Sequence, residues 1–224
     1  MEVVLCQRQI TRILLSVVAL LVGTGIFVQV EKYAFDHDYQ WGLLRLFDLD
    51  GESNVPAWYS SVALFLCVPL LVLVSAKKGG PYVRHWQILG VVFVLLSLDE
   101  AASFHEPLSW KLQAGLDSHG IFYYAWVIPA ILFVLFILMT YRRFLQGLPR
   151  ETRSRFLMAG AIYVTGAIGL EMVESWYVEL HGNQNLFMAL TIGVEEGLEM
   201  LGVVLFIRAL LLYLGPGPIA MRVR

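Results

Sequence analysis

The chain has 224 residues, 58% of them hydrophobic and 15% charged, with a formal net charge of −2 and a mean hydropathy of +0.68. A water-soluble core of this size would need more polar surface, so the composition excludes an ordinary soluble domain and points to an all-α, polytopic membrane helix bundle. No basic stripe exists beyond the flanks of the apolar segments, so nothing in the charge pattern suggests a nucleic-acid partner.

Six apolar windows follow in chain order: residues 13–30, 57–75, 86–104, 122–141, 156–178 and 186–213. Each is long enough to cross about 30 Å of hydrocarbon at about 1.5 Å per residue. They leave no room for a separate soluble domain, so residues 1–224 are expected to form a single transmembrane domain. The first window reads as a signal anchor. It is too long for the apolar part of a cleaved signal peptide, and its small residues, Val22-Gly23-Thr24-Gly25, lie mid-run rather than after it.

The loop between the first two windows contains segment 39–48, which reads as a short interfacial helix carrying Trp41 and Phe47. The acidic turn that follows, Asp48-Leu49-Asp50-Gly51-Glu52-Ser53-Asn54, partly matches the start of a calcium loop. It lacks the length and closing Glu of an EF-hand, and reads instead as Ser/Asn/Pro capping of the second span. Gly79-Gly80-Pro81 and Gly147-Leu148-Pro149 mark turns in two short basic loops. Cys6 and Cys67 are too far apart in chain and setting for a disulfide or a soft-metal site.

Of the sixteen Lys and Arg residues, twelve flank the spans on the side of those basic loops and of both termini. Only Lys32, Arg45 and Lys111 fall on the other side, while Arg208 lies in the last span, positioned to snorkel. The bias predicts cytoplasmic termini in the cell (inner) membrane, with the lipid bilayer as the principal partner and room for a homo-oligomer.

Seven carboxylates interrupt the apolar windows: Asp99 and Glu100, Glu171 and Glu174, and Glu195, Glu196 and Glu199. From Trp86 to Leu98 is only about 20 Å of helix, and from Phe156 to Leu170 about 23 Å. Neither span crosses the bilayer without continuing through its acids, so these side chains lie inside the slab. At about 100° per residue, each group occupies one face of its helix. Asp99, Glu100, Ser103 and Glu106 share an arc of about 120° on an unbroken helix. Lipid excludes the outward orientation, so three acidic faces are expected to meet in one polar pocket at one depth. His105 falls about 120° away and joins the pocket only if the helix loosens before Pro107. His37, His85, His119 and His181 read as ordinary histidines, and Ser103 and Ser175 as helix-to-helix hydrogen-bonding groups.

So many acids with no Lys among them need bound cations or protons. Oxygen donors without thiolate suit a divalent metal, Fe, Mn, Ca or Mg, and disfavour Zn or Cu. The expected ligand set is Asp99, Glu100, Glu106, Glu171, Glu174, Glu195, Glu196 and Glu199 with His105, and it has room for two ions. Glu pairs spaced i, i+3 or i, i+4 are how carboxylate-bridged di-metal bundles are built. The usual Glu-x-x-His is replaced here by Glu171-x-x-Glu174 and Glu196-x-x-Glu199, which argues against oxygen-activating di-iron chemistry.

Glu196-Gly197-Leu198-Glu199 resembles the motif of high-affinity iron permeases over four residues, with Glu195 where those have arginine. The resemblance implies that such a pair can bind iron, not kinship. Across most of its length the chain resembles an uncharacterised group of bacterial six-span membrane proteins. The similarity is carried by Leu49-Asp50-Gly51-Glu52…Pro56, Leu98-Asp99-Glu100…His105-Glu106 and Glu195-Glu196-x-x-Glu199-Met200-x-Gly202. It implies a fold and no activity. Three functions fit these residues. A metal-dependent membrane enzyme open to the outer face is favoured, because the helices become apolar below the acids. A divalent-cation or proton transporter or channel is the alternative. A purely architectural site is the weakest, because buried ionic groups rarely outperform apolar packing.

Overall fold

A computed structural model describes residues 2–37, 42–215 and 219–222. The described chain runs as β1 (Glu2–Leu5), α1 (Gln7–Phe35), α2 (Leu43–Phe47), α3 (Val55–Lys78), α4 (Val83–Ala102) and α5 (His105–Leu116). A 3-10 turn (Gly120–Phe122) leads into α6 (Val127–Gly147); α7 (Arg150–Val164) passes through a π-helical turn (Thr165–Leu170) into α8 (Glu171–His181). The chain closes with α9 (Leu186–Leu214) and β2 (Ile219–Arg222). Among the described residues, six helical rods are long and apolar enough to span a membrane: α1, α3, α4, α6, the continuous α7–π–α8 rod, and α9. An even number of crossings returns both ends to one face, the terminal face. There β1 and β2 pair antiparallel, with Glu2 opposite Arg222 and Leu5 opposite Ile219.

The helices start and stop where local chemistry directs. The Asn54 side chain accepts the Ala57 N–H at 3.1 Å to cap α3, and Asn185 caps α9 in the same way through Met188. Asp36 and Ser103 end α1 and α4 in the left-handed conformation, at φ 56° and 51°. Three spans, α1, α3 and the α7–π–α8 rod, exceed their apolar windows at both ends, because flanking charges extend toward water without breaking the helix. Two boundaries shift the other way: the third span stops at Ala102, and the fourth starts at Val127. Between them α5 forms a helix in what reads as a loop. Within the segment 39–48 expected at the interface, a short helix, α2, spans Leu43–Phe47, while residues 38–41, Trp41 among them, lie outside the described residues.

The central element is α9, whose apolar residues are not confined to one side because α1, α3 and α7 pack on it from different sides. Gly202 permits this. A Cβ there would lie 2.8 Å from both the backbone nitrogen and the Cβ of Tyr163. Gly166 does the same in the π turn, where a Cβ would meet the Glu195 carbonyl oxygen at 2.8 Å. Two buried clusters result. One, nearer the terminal face, holds Leu71, Trp86, Phe144, Phe156 and Leu210; the other, nearer the far face, holds Leu21, Leu49, Met188, Met200 and Val204.

Candidate metal centre

The acidic positions are delivered by four different devices. On α9, Glu195, Glu196 and Glu199 follow from helical spacing alone. On α8, Glu171 and Glu174 directly follow the π turn, whose wider winding resets the face that the rod presents. On α4, Asp99 and Glu100 occupy the last turn before the chain breaks at Ser103. The break falls four residues before Pro107, not at the pre-proline residue. Pro107 sits in the first turn of α5, where its missing N–H costs nothing.

That break brings His105 in. Its backbone N–H donates to Asp99 Oδ1 at 3.0 Å, and its ring Nδ1 lies 3.1 Å from Asp99 Oδ2. The ring rests against Trp126, with centroids 5.0 Å apart. Partial burial works against the imidazolium, but the Asp99 hydrogen bond and charge outweigh it and raise the imidazole above its ordinary value.

Asp99, Glu100, His105, Glu106, Glu171, Glu174, Glu195, Glu196 and Glu199 all line one cavity of about 1220 Å³. Glu171, Glu174 and Glu195 come closer than the rest, each offering a ligand oxygen within 4.8 Å of the other two. That spacing fits a common hard cation, since opposed ligands at about 2.0–2.6 Å from an ion are about 4–5 Å apart. The triad is largely sequestered: Glu174 is 3% and Glu195 7% exposed. Glu174 Oε1 is buried with no hydrogen-bond partner, and a carboxylate oxygen in that state calls for a cation, a proton or a water. Glu171 is oriented from outside, where the Trp126 indole N–H donates to its Oε1 at 2.9 Å. Ser175 Oγ accepts the Tyr124 N–H at 3.1 Å, fixing the segment that carries Trp126. The other acids share the cavity without belonging to a second such close group among the described residues.

The fourth device lies in the acidic turn. Asn54 caps α3 as the sequence suggests, yet Asp50 and Glu52 also line the cavity. Leu49 is the anchor. It is 6% exposed and wedged so tightly against α1 that a Cβ on Gly25 would lie 2.5 Å from its Cγ. Asp48 Oδ1 accepts from Gln29 Nε2 and from the Asp50 N–H, fixing the turn. Desolvation beside the cavity, with the charges of Asp48, Glu106 and Glu171, pushes the Asp50 carboxyl up to about 6. The signal available in the sequence was the apolar Leu49 at the head of an otherwise polar turn.

A family profile described as a domain of unknown function (DUF8692) matches residues 12–214. The chain belongs to this DUF8692 family. No curated protein and no solved structure matches it. The family match spans all four devices just described and brings no activity with it, so function in this DUF8692 chain has to be argued from the cavity.

Proposed function

We propose that this protein is a divalent-metal-dependent membrane enzyme, its ion held by Glu171, Glu174 and Glu195 in a cavity that opens toward the outer face of the inner membrane. The observation that carries this reading is the buried, unpartnered Glu174 Oε1 within a close carboxylate triad. The positive-inside bias supports termini in the cytoplasm. Iron, manganese, calcium and magnesium all suit the oxygen-only donor set.

A bound ion would supply Lewis acidity toward a substrate oxygen. The chain supplies the rest. Trp126 holds Glu171 in orientation, and the buried walls of α8 and α9 limit water around the triad. His105, held by Asp99 at 3.1 Å, is the group placed to take or give a proton at the cavity rim. Transport fits less well because the terminal-face end of the cavity is lined by packed aromatic rings. There Phe144 contacts Trp86 at 4.6 Å and stacks on His85 at 5.6 Å between ring centroids.

Elemental analysis of the full-length protein after gel filtration in mild detergent tests this directly. Stoichiometric divalent metal, with no Mn²⁺ or Ca²⁺ entry into proteoliposomes, is the expected result. Metal-free protein that admits either ion would replace the enzyme reading with transport. Neither metal nor flux would overturn both.

A further inference from the structure

The cavity has an apolar arm that metal binding leaves unused. Below the carboxylates, α4 lines it with Leu89, Phe93 and Leu96, and α6 with Phe133, Ile137 and Leu138. These two helices share the space without packing extensively on each other. The space between them is closed at its ends. Toward the terminal face, Tyr141 Oη donates to the His85 carbonyl at 2.9 Å, and Phe144 packs on Tyr82, His85 and Trp86. Toward the far face, the His105 and Trp126 rings meet.

Between those closures the arm is open sideways: Phe133 and Leu138 are 45% and 48% exposed although both line the cavity. Its α6 wall between the closures runs from Ala130 to Leu138, about 12 Å of helix at about 1.5 Å per residue. On the α7 wall Gly160 faces open space, with nothing within 4 Å of an added Cβ. An apolar slot with a lateral opening at bilayer depth suits a hydrocarbon chain arriving from the membrane.

The head end selects by charge. Asp50, Glu52, Asp99, Glu100 and Glu106 line the mouth, and no Lys or Arg lines the cavity among the described residues. Asp99 is tied to His105, so one divalent ion at the triad leaves Asp50, Glu52, Glu100 and Glu106 for a cationic head group. Trp110, Tyr123 and Trp126 add ring faces to the same mouth, and such faces attract ammonium groups.

We propose that the slot between α4 and α6 binds the hydrocarbon chain of a membrane amphiphile whose amine or ammonium head sits among the mouth acids beside the metal. This assignment rests on the metal-centre reading, since the ion occupies the triad and leaves the mouth to the head group. It names the class of substrate on which the enzyme acts.

The experiment uses full-length protein in maltoside detergent and three probes with identical brominated chains: a long-chain alkylamine, the corresponding alcohol and the corresponding alkyl phosphate. Tryptophan quenching reads binding, and elemental analysis of the same samples reads metal. The amine should bind at least about tenfold more tightly than the phosphate, because like charge at the mouth opposes the latter. Gly160→Phe, and independently Ala161→Leu, should fill the slot and weaken the amine at least about tenfold with metal content unchanged. Glu100→Gln with Glu106→Gln should reduce the preference for amine over alcohol. Equal or tighter phosphate binding, or amine binding indifferent to both slot-filling variants, would overturn the proposal. Saturable amine binding to metal-free protein would remove the metal centre and keep the slot. Metal without amphiphile binding would do the reverse.

Discussion

The two halves of the cavity contain different materials and are held together differently. Toward the far face, carboxylates from α4, α8 and α9 converge beside a loop fixed by Leu49, and their polar demands are incompletely met. Toward the terminal face, Tyr82, His85, Trp86, Tyr141 and Phe144 form a ring cluster with centroid separations of 4.6–5.6 Å. The aromatic half adds apolar burial and edge-to-face contacts, which stabilise directly. The acidic half carries a desolvation cost that a bound cation or protonation must offset. Stability and function are therefore separable along one membrane normal, and substitutions should sort accordingly.

The largest effect belongs to the triad. Glu171→Gln, Glu174→Gln and Glu195→Gln combined should lower metal affinity on the order of 100-fold or more, since even outer-shell partners of a metal typically contribute about 10–100-fold. The metal-free variant should melt no lower than metal-free wild type, because neutral amides relieve buried charge; a lower melt would mean that the carboxylates stabilise the bundle by themselves. At the opposite end, Phe144→Ala should cost about 3–5 kcal/mol, read by thermal melting in detergent, with metal content intact. Metal loss in that variant would erase the separation between the halves.

Gly202→Ala joins the halves, because its methyl would press into the Tyr163 backbone at 2.8 Å. Overpacking there should cost about 1–3 kcal/mol and also weaken metal binding, since it pushes α7–α8 away from α9. Asn54→Ala should cost about 1 kcal/mol through the lost helix cap. Because Asn54 Nδ2 also donates to the Asp48 carbonyl oxygen, proteolysis of the 48–54 turn should quicken.

The smallest effect concerns the far-face loop, where His119 Nδ1 lies 2.6 Å from Glu179 Oε1. The Glu179 hydrogen bond and charge hold the imidazole above its ordinary value of 6.5. A value raised by folding means that this tie contributes fully below about pH 6.5 and is lost as pH rises through the elevated value. His119→Gln should flatten that dependence in hydrogen exchange of the 117–122 segment; an unchanged profile would assign the pH response to another group.

Composition and spacing made much of this molecule legible. Six apolar windows gave six membrane-length rods, because a single lipid-crossing segment of about 20 apolar residues satisfies its own backbone groups only as a helix. The acids of α8 and α9 shared a face for the same periodic reason. His105 was harder to place, because an unbroken helix turns it away. Its entry depends on Ser103 adopting φ 51°, a choice that a serine does not advertise. The π turn before Glu171 is also hard to read, since Gly166 and Gly169 weaken a helix without specifying a π turn. Asp50 and Glu52 were hidden by a true but incomplete reading: Asn54 does cap α3, and the same turn also feeds two acids into the cavity through the wedge of Leu49 against Gly25. Side-chain spacing is visible along one helix, whereas contacts between distant segments depend on packing that no local pattern encodes.

Anomalous scattering from crystals of the full-length protein soaked with Mn²⁺ would locate the positive partner of the buried carboxylates. The expected map has a peak bounded by Glu171, Glu174 and Glu195, at about 2.0–2.6 Å from their oxygens as hard cations require. Water alone among those three side chains, with manganese confined to the protein surface, would contradict it.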